Sequence, residues 1–308
     1  MSDKPFKTYN EQIELLKSKQ LIIQDENLAK NALNDISYFA LINGYKNAFK
    51  KNDVYDNAYF EDILSLFQFD EKLRGVLLKN ILIVERKIKS SISYHFSCEY
   101  PNCQTDYLNV NNYQYNDVKN RDSIIKLVST IQAISKSRNY AYIKHYTENH
   151  HSNVPLWVLI NAVSFGKVSK IYAFSQQSIQ QKVANDFKDV SNAQLKNMLE
   201  LLTHFRNVCA HNERLYNYKT RISLKKTKLF EAFNLSKNDD CNLFSVVICM
   251  KYLLKEKEFE SFFCELESTI QSLSFKGSKI ETRIILTEMG FPNNWERIKE
   301  TDISKAHN

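Results

Sequence analysis

The stretch Ser191-Asn192-Ala193-Gln194-Leu195-Lys196-Asn197-Met198-Leu199-Glu200-Leu201-Leu202-Thr203-His204-Phe205-Arg206-Asn207-Val208-Cys209-Ala210-His211 decides the fold. Ser191 with Gln194 three residues later is a capping box, which predicts a helix starting near Asn192. Leu195, Met198, Leu199, Leu202, Phe205 and Cys209 follow at helical spacing, with Leu215 a candidate to extend the stripe. No proline or glycine interrupts the chain through Tyr218, so the helical reading continues past His211. Glu200, His204, Asn207, His211 and Arg214 recur at steps of four, three, four and three, which puts all five on one other face. Arg206 lies about 140° around a regular helix from His211. One helix therefore cannot aim both at one phosphate. Either it is distorted there, or a second copy of the chain completes the site.

Outward from this helix the composition points the same way. Five glycines and four prolines in 308 residues are few for strands joined by tight turns, so the chain reads as all-α. Thr8 with Glu11 is another capping box, for a helix ending near Lys19. Asp25 caps a second helix, carrying Leu28, Ala32 and Leu33 towards Tyr38-Phe39, and Gly44-Tyr45 closes this N-terminal hairpin. Asn52, Asp53 and Asn57 mark an irregular 46–58. The longest helical pattern runs from Tyr59 to about Phe96, with Leu77, Ile81, Val84, Ile88 and Ile92 at core spacing and an i,i+4 pair, Glu85 and Lys89, outside it. A surface loop over 97–120 and a helix from about Asp122 to Asn149 come next, then Pro155 opening a helix that Gly166 breaks. Short helices near 167–175 and 178–187 lead to the Ser191 capping box. Residues 231–275 read as two amphipathic helices joined by Lys237-Asn238-Asp239-Asp240, and a last short helix passes through Trp295 and Ile298. The expected organisation is an N-terminal helical region over 1–58, a core over 59–230 and a C-terminal helical extension over 231–308.

No apolar run reaches the roughly 18 residues of a membrane span, and Met1-Ser2-Asp3-Lys4-Pro5 lacks the apolar core of a signal peptide. A soluble, cytoplasmic protein that does not engage a membrane is expected. The six cysteines have no metal-ligand spacing, so they read as reduced, mostly buried thiols, and neither a metal site nor a cofactor is expected. The net charge of +7 permits a polyanionic partner.

The chemistry converges on Arg206, Asn207 and His211. An arginine grips a phosphate with a bidentate fork, and a histidine exchanges protons near neutral pH. An Arg-x4-His spacing is common by chance and decides nothing alone. Lys219, Arg221, Lys225, Lys226 and Lys228 put five cations directly beyond it, either a phosphate-backbone track or a solvated basic linker. Arg214 reads as a partner of Glu200 or Glu213, as a nucleic-acid contact, or as a group that touches the reacting phosphate, and His204 as a structural or supporting residue. Glu85 and Arg74 read as an ion pair that aligns the site, or as a solvated pair. His150-His151 falls in a polar loop. Tyrosine and phenylalanine are abundant but fall mostly at core spacing, so no base-stacking platform is read from them.

Arg206-Asn207-x-Cys209-Ala210-His211 with Arg214-Leu215-Tyr216-Asn217 resembles the signature of HEPN-fold proteins and, more narrowly, of the AbiD/AbiF-type abortive-infection proteins of bacteria. Phe69-Asp70-x-x-Leu73-Arg74 and Ile83-x-Glu85-Arg86 resemble that family's central long helix. Pro155-Leu156-Trp157 with Ser164-Phe165-Gly166-Lys167 resembles the segment before its motif helix, and Lys4-Pro5, Tyr38-Phe39 and Gly44-Tyr45 its N-terminal region. The likeness covers about residues 4–220. It implies an all-α HEPN-like bundle, a homodimer in which two motifs form one ribonuclease site, and a toxic activity in phage defence, restrained in some members by a small non-coding RNA. Arg206, Asn207 and His211 would then cleave RNA by 2′-hydroxyl attack, without a metal, leaving a 2′,3′-cyclic phosphate and a 5′-hydroxyl. The alternative is a non-catalytic RNA-binding module of a defence complex. A helical scaffold that senses a phage component is a third possibility.

Overall fold

Apolar residues at helical spacing build one 40-residue helix against which most of the chain packs. The computed structural model describes residues 5–51, 54–55, 57–149, 153–236, 241–275, 277 and 281–303. In chain order its helices are α1 (Tyr9–Ser18), α2 (Glu26–Ile36), α3 (Phe60–Glu99), α4 (Gln104–Tyr107), α5 (Arg121–Ser135), α6 (Ala141–Asn149), α7 (Leu156–Leu159), α8 (Phe165–Phe174), α9 (Gln177–Asn185), α10 (Asn192–Ala210), α11 (Lys228–Ala232), α12 (Leu243–Leu253), α13 (Glu256–Gln271) and α14 (Thr282–Glu288). The fold is an all-α bundle. The extended pairing among the described residues is confined to a two-residue antiparallel hairpin, Lys50–Lys51 with Val54–Tyr55, and two isolated bridges.

The long helix α3 is fully buried at Leu77, Ile81, Val84, Ile88 and Ile92, the stripe its spacing predicts. α10 packs on α3, α8 and α12. Both capping boxes form, Thr8 with Glu11 at α1 and Ser191 with Gln194 at α10, and Asp25 caps α2 by accepting from Leu28 N–H. One apolar core runs from Ile13 to Ile303. Its centre includes α12, on which every residue except Lys251 is buried. A helix apolar on all sides belongs inside, so α12 departs from the amphipathic pattern expected there, while α13 keeps it.

Several local expectations are corrected. α2 stops at Ile36 because Ser37 turns into the left-handed region, φ 75°, and Phe39–Asn43 forms a π-helical turn. Leu28 is exposed, and Ala29, Ala32 and Leu33 are the residues that α2 buries. The 97–120 segment is anchored rather than loose. Tyr107 and Tyr113 are buried in it and donate to the carbonyls of Val154 and Tyr107, at 2.7 and 2.8 Å. The helix expected over 122–149 divides into α5 and α6 at Lys136–Tyr140, where the Ser137 hydroxyl accepts from Asn139 N–H in place of a helical carbonyl.

Gly166 does not break a helix. It sits in the first turn of α8, and the break precedes it at Val163 and Ser164, both extended. A Cβ at Gly166 would stand 3.2 Å from Thr203 Cγ2, so this glycine lets α8 approach α10. The thiols are not mostly buried: Cys209 and Cys249 are, whereas Cys98 and Cys264 are exposed and Cys103 and Cys241 partly so. Lys4, Asn52, Asp53, His150, His151 and Lys237–Asp240 lie outside the described residues. Among the described residues no helix is long and apolar enough to cross a membrane.

Candidate nucleic-acid site

The helix α10 ends at Ala210, eight residues before the sequence pattern suggests. Asn212 adopts φ 56°, the left-handed conformation that asparagine tolerates better than any residue except glycine. Glu213 N–H donates to Val208 carbonyl at 3.0 Å and Asn212 N–H to Cys209 carbonyl at 3.4 Å, the paired bonds of a Schellman termination. His211 is thus the C-cap, exposed to solvent, and Arg214 is no longer on the face shared by Glu200, His204 and Asn207. His204 and Asn207 are exposed on the last two turns, so the row that reaches solvent is His204, Asn207 and His211.

A buried carboxylate holds the chain beyond the cap. Asp70, on α3, is inaccessible to solvent. Its Oδ2 accepts from Tyr45 Oη at 2.7 Å, Arg74 Nη1 at 2.7 Å and Leu215 N–H at 2.9 Å, while Oδ1 accepts from Tyr216 N–H at 2.7 Å. Burial pushes the Asp70 carboxyl up from its ordinary range, and the two amides, the phenol and the guanidinium pull against that shift. Tyr45 is likewise pushed up by burial, then by the Asp70 charge. Arg74 also reaches Glu213 carbonyl at 3.4 Å, and the Tyr45 ring stacks on Tyr216 at 5.8 Å. Arg74 is therefore the partner of Asp70 and does not pair with Glu85. The two are three helical turns apart on α3, too far to touch.

Glu85 serves the other end of the motif. Its carboxylate takes Lys89 Nζ at 2.8 Å and faces Arg206 Nε at 3.9 Å, with 10% of its side chain exposed. That second distance is too long for a hydrogen bond, and Glu85 Oε2 and Arg206 Nε are both buried without one. The expectation that the Glu85–Lys89 pair lies outside the core is corrected: Lys89 does pair, but Glu85 is buried. Arg206 is drawn towards α3, whereas His211 opens to solvent.

Arg214 pairs with neither Glu200 nor Glu213. Its guanidinium donates to Gly44 carbonyl and lies near Glu288 at the end of α14. Burial pushes the Glu288 carboxyl up, Arg214 pulls it down, and the Tyr216 hydroxyl and Asn217 stand beside it. The chain after residue 230 thus reaches the motif turn.

The basic tract runs back along α10. Gln194 Nε2 donates to Lys226 carbonyl at 2.9 Å, Asn197 Nδ2 to Ser223 carbonyl at 2.9 Å, and Lys225 N–H to Asn197 Oδ1 at 2.6 Å. Burial alternates as in an extended chain: Thr220 and Leu224 are buried, while Lys219, Arg221 and Lys225 are exposed. Lys226 is also exposed, and Lys228, partly buried, stands 4.0 Å from Asp189. On helical angles Asn197 lies about 20° from His204, on the exposed face, and Gln194 about 80° from it. Among the described residues Lys219, Arg221, Lys225 and Lys226 make no ion pair, and Lys225 and Lys226 lie beside the first turns of α10, about 15 Å or more along its axis from Asn207.

Asp70 and Tyr45 are the site residues that the sequence reading left out. Both fall inside stretches that carried the family resemblance, and an acid four residues before an arginine on a helix was the available signal. The chain matches the family model of Abi-like proteins over residues 31–217 and belongs to that family, which is associated with abortive infection in phage defence. No curated protein and no solved structure matches it. The matched span contains Tyr45, Asp70, Arg74, Glu85 and all of α10, and it ends on the turn that Asp70 holds.

Proposed function

We propose that this Abi-like chain is a metal-independent endoribonuclease of the HEPN type, acting in phage defence as a homodimer and restrained by a small non-coding RNA. The observation that carries the reading is the end of α10. The Schellman termination presents His211 to solvent one turn beyond the exposed Asn207, with the cations Lys219 and Arg221 following in the chain, while Arg206 faces Glu85 on α3. Two copies facing each other across this end would supply two histidines and two arginines to one phosphate.

In RNA the 2′-hydroxyl lies beside its own phosphate. His211 of one protomer would take the hydroxyl proton, O2′ would bond to phosphorus, and the bond from phosphorus to O5′ would break. His211 of the other protomer would return a proton to O5′. Arg206 would stabilise charge on the non-bridging oxygens, and Asn207 would orient the imidazole or the phosphate. Products are a 2′,3′-cyclic phosphate and a 5′-hydroxyl. Both the charge stabiliser and the proton carriers are side chains, so the reaction as written has no step for a metal. DNA lacks the nucleophile and should be inert.

The test is incubation of the protein with total RNA in EDTA and mapping of new ends. Fresh 5′-hydroxyl ends made by wild type, and by neither His211→Ala nor Arg206→Ala, are expected. Intact RNA at every protein concentration would overturn the reading. The divergence of Arg206 and His211 in one chain also fits a non-catalytic RNA-binding module. That alternative requires salt-sensitive RNA binding that survives His211→Ala and yields no products.

A further inference from the structure

The corner between α5 and α6 is unlike the rest of the surface. The helix α6 buries a single residue, Ile143, and packs Tyr146 partly buried against the core, while Tyr142 and Tyr140, just before the helix, are exposed. Tyr140 is 37% exposed and Tyr142 39%, with ring centroids 5.6 Å apart and planes at 39°. Lys136, Arg138 and Lys144 neighbour them along the chain, all exposed. The one carboxylate between Lys136 and Asn149 is Glu148, which stands 3.9 Å from Lys144 Nζ, a contact too exposed to hold the lysine. Lys136 and Arg138 have no ion-pair partner among the described residues. Core packing explains most tyrosines of this chain, and it explains neither of these.

We propose that the Lys136–His145 corner is a stacking platform for single-stranded RNA, distinct from the Arg206–His211 site. Flat exposed rings interleaved with unpaired cations match a ligand that alternates flat bases with phosphates. Stacking on a ring needs no particular base, and the cations track the backbone. A duplex keeps its base faces inside, so it offers these rings nothing. The ring spacing sets how bases sit. Two stacking steps of roughly 3.4 Å each exceed the 5.6 Å between centroids, so no base fits between the rings. Bases pack on their outer faces, one per tyrosine. The role is to hold a single strand away from the cleavage site, and it does not depend on cleavage.

The experiment uses the full chain carrying His211→Ala, so that binding is read without turnover. Fluorescence anisotropy follows a labelled oligouridine of about 12 nucleotides, an abasic strand of equal length and an RNA duplex. Tyr140→Ala and Tyr142→Ala should each weaken oligouridine binding about 5- to 10-fold. They should leave the abasic strand and the duplex unchanged, and Tyr→Phe at either position should restore binding. Arg138→Ala should lower the salt slope by about 0.7 for the phosphate it no longer neutralises. An unchanged affinity in the double alanine variant, an equal loss on the abasic strand, or no oligouridine binding by the His211→Ala parent would each overturn the platform. None of these outcomes bears on whether wild type cleaves RNA, so the two readings fail separately.

Discussion

Asp70→Asn is the sharpest perturbation of this fold, because it removes a charge and one acceptor while changing almost no volume. Oδ2 takes three donors and Oδ1 takes one, so the asparagine keeps most bonds by placing its oxygen at the Oδ2 position. Its amide then confronts Tyr216 N–H, donor against donor. A buried amide left without an acceptor costs about 1–3 kcal/mol. Arg74, 4% exposed, loses its counter-charge, and breaking a buried pair from one side costs about 3–5 kcal/mol. The asparagine oxygen still accepts from Arg74, so the lower end applies and the two losses overlap. The expected total is about 3–5 kcal/mol, a large share of the ~5–15 kcal/mol that holds a domain together.

Urea denaturation should show this as a midpoint lower by about 1 M or more, for a slope near 3 kcal/mol/M. Hydrogen exchange locates it: the Tyr216 amide should lose protection about 5- to 150-fold beyond any global change, and the Leu215 amide, whose acceptor the asparagine keeps, less. Asp70→Ala should be worse, since it restores no bond at all. A midpoint within 0.3 M of wild type (about 1 kcal/mol at that slope), with both amides still protected, would refute the claim that this carboxylate holds the turn after His211.

Four other outcomes follow from particular contacts. Glu85→Gln should lower RNA cleavage about tenfold or more with the melting temperature little changed, because Arg206 loses the charge that orients it. Gly166→Ala should destabilise by about 1 kcal/mol through contact with Thr203 Cγ2, and Thr203→Ser should relieve it; a helix-propensity gain would have the opposite sign, as thermal melts would show. Native thiol labelling should modify Cys98 and Cys264 first and leave Cys249 and Cys209 protected, the Cys209 thiol being pushed up to about 12 by burial. Because Glu288 is held above its ordinary value of 4.5, the folded state binds that proton more tightly, so its contribution falls as pH rises through and above 4.5. Glu288→Gln should flatten that part of the pH–stability curve.

What the sequence discloses is whatever depends on neighbours along the chain. Capping boxes at Thr8 and Ser191, the Asp25 cap and the buried stripe of α3 are local arrangements, and each forms as its spacing predicts. The failures share a cause in partners distant in sequence. Gly166 reads as a breaker because its reason for being small is Thr203, 37 positions on. Glu85 reads as a solvated partner of Lys89 because Arg206 is remote. Asp70 gives no local sign of accepting from Leu215 and Tyr216, and Tyr140 and Tyr142 look like core residues until α6 is seen to bury only Ile143. Asn212 is the exception: the left-handed preference of asparagine marks the helix end locally, without a glycine or proline.

The end of α10 is where these threads join. Had the helix continued, Leu215 N–H would bond to His211 carbonyl and Tyr216 N–H to Asn212 carbonyl, four residues back. Asp70 takes both amides instead, so the bonds that would extend the helix go to a carboxylate on α3. The compensation is not local. It comes from Tyr45 and Arg74, which hold that carboxylate in place, and from the Schellman bonds that satisfy the last carbonyls. The resulting stop leaves His211 at the lip of the helix rather than along its side, free of the row that would have carried it on to Arg214. A histidine set on a rigid cap, with Arg206 five residues before it facing Glu85 on α3, is preorganised in position though not in pairing. That incomplete pairing is what a second copy would supply. On the proposed reading the dimer holds one site that needs His211 of both chains, one as base and one as acid. A mixed dimer of wild-type and His211→Ala chains should therefore be inactive, so after subunit exchange, with mixed dimers demonstrated by mass, RNA cleavage should fall as the square of the wild-type fraction. A fall in simple proportion to the wild-type fraction would show that each chain furnishes every group itself.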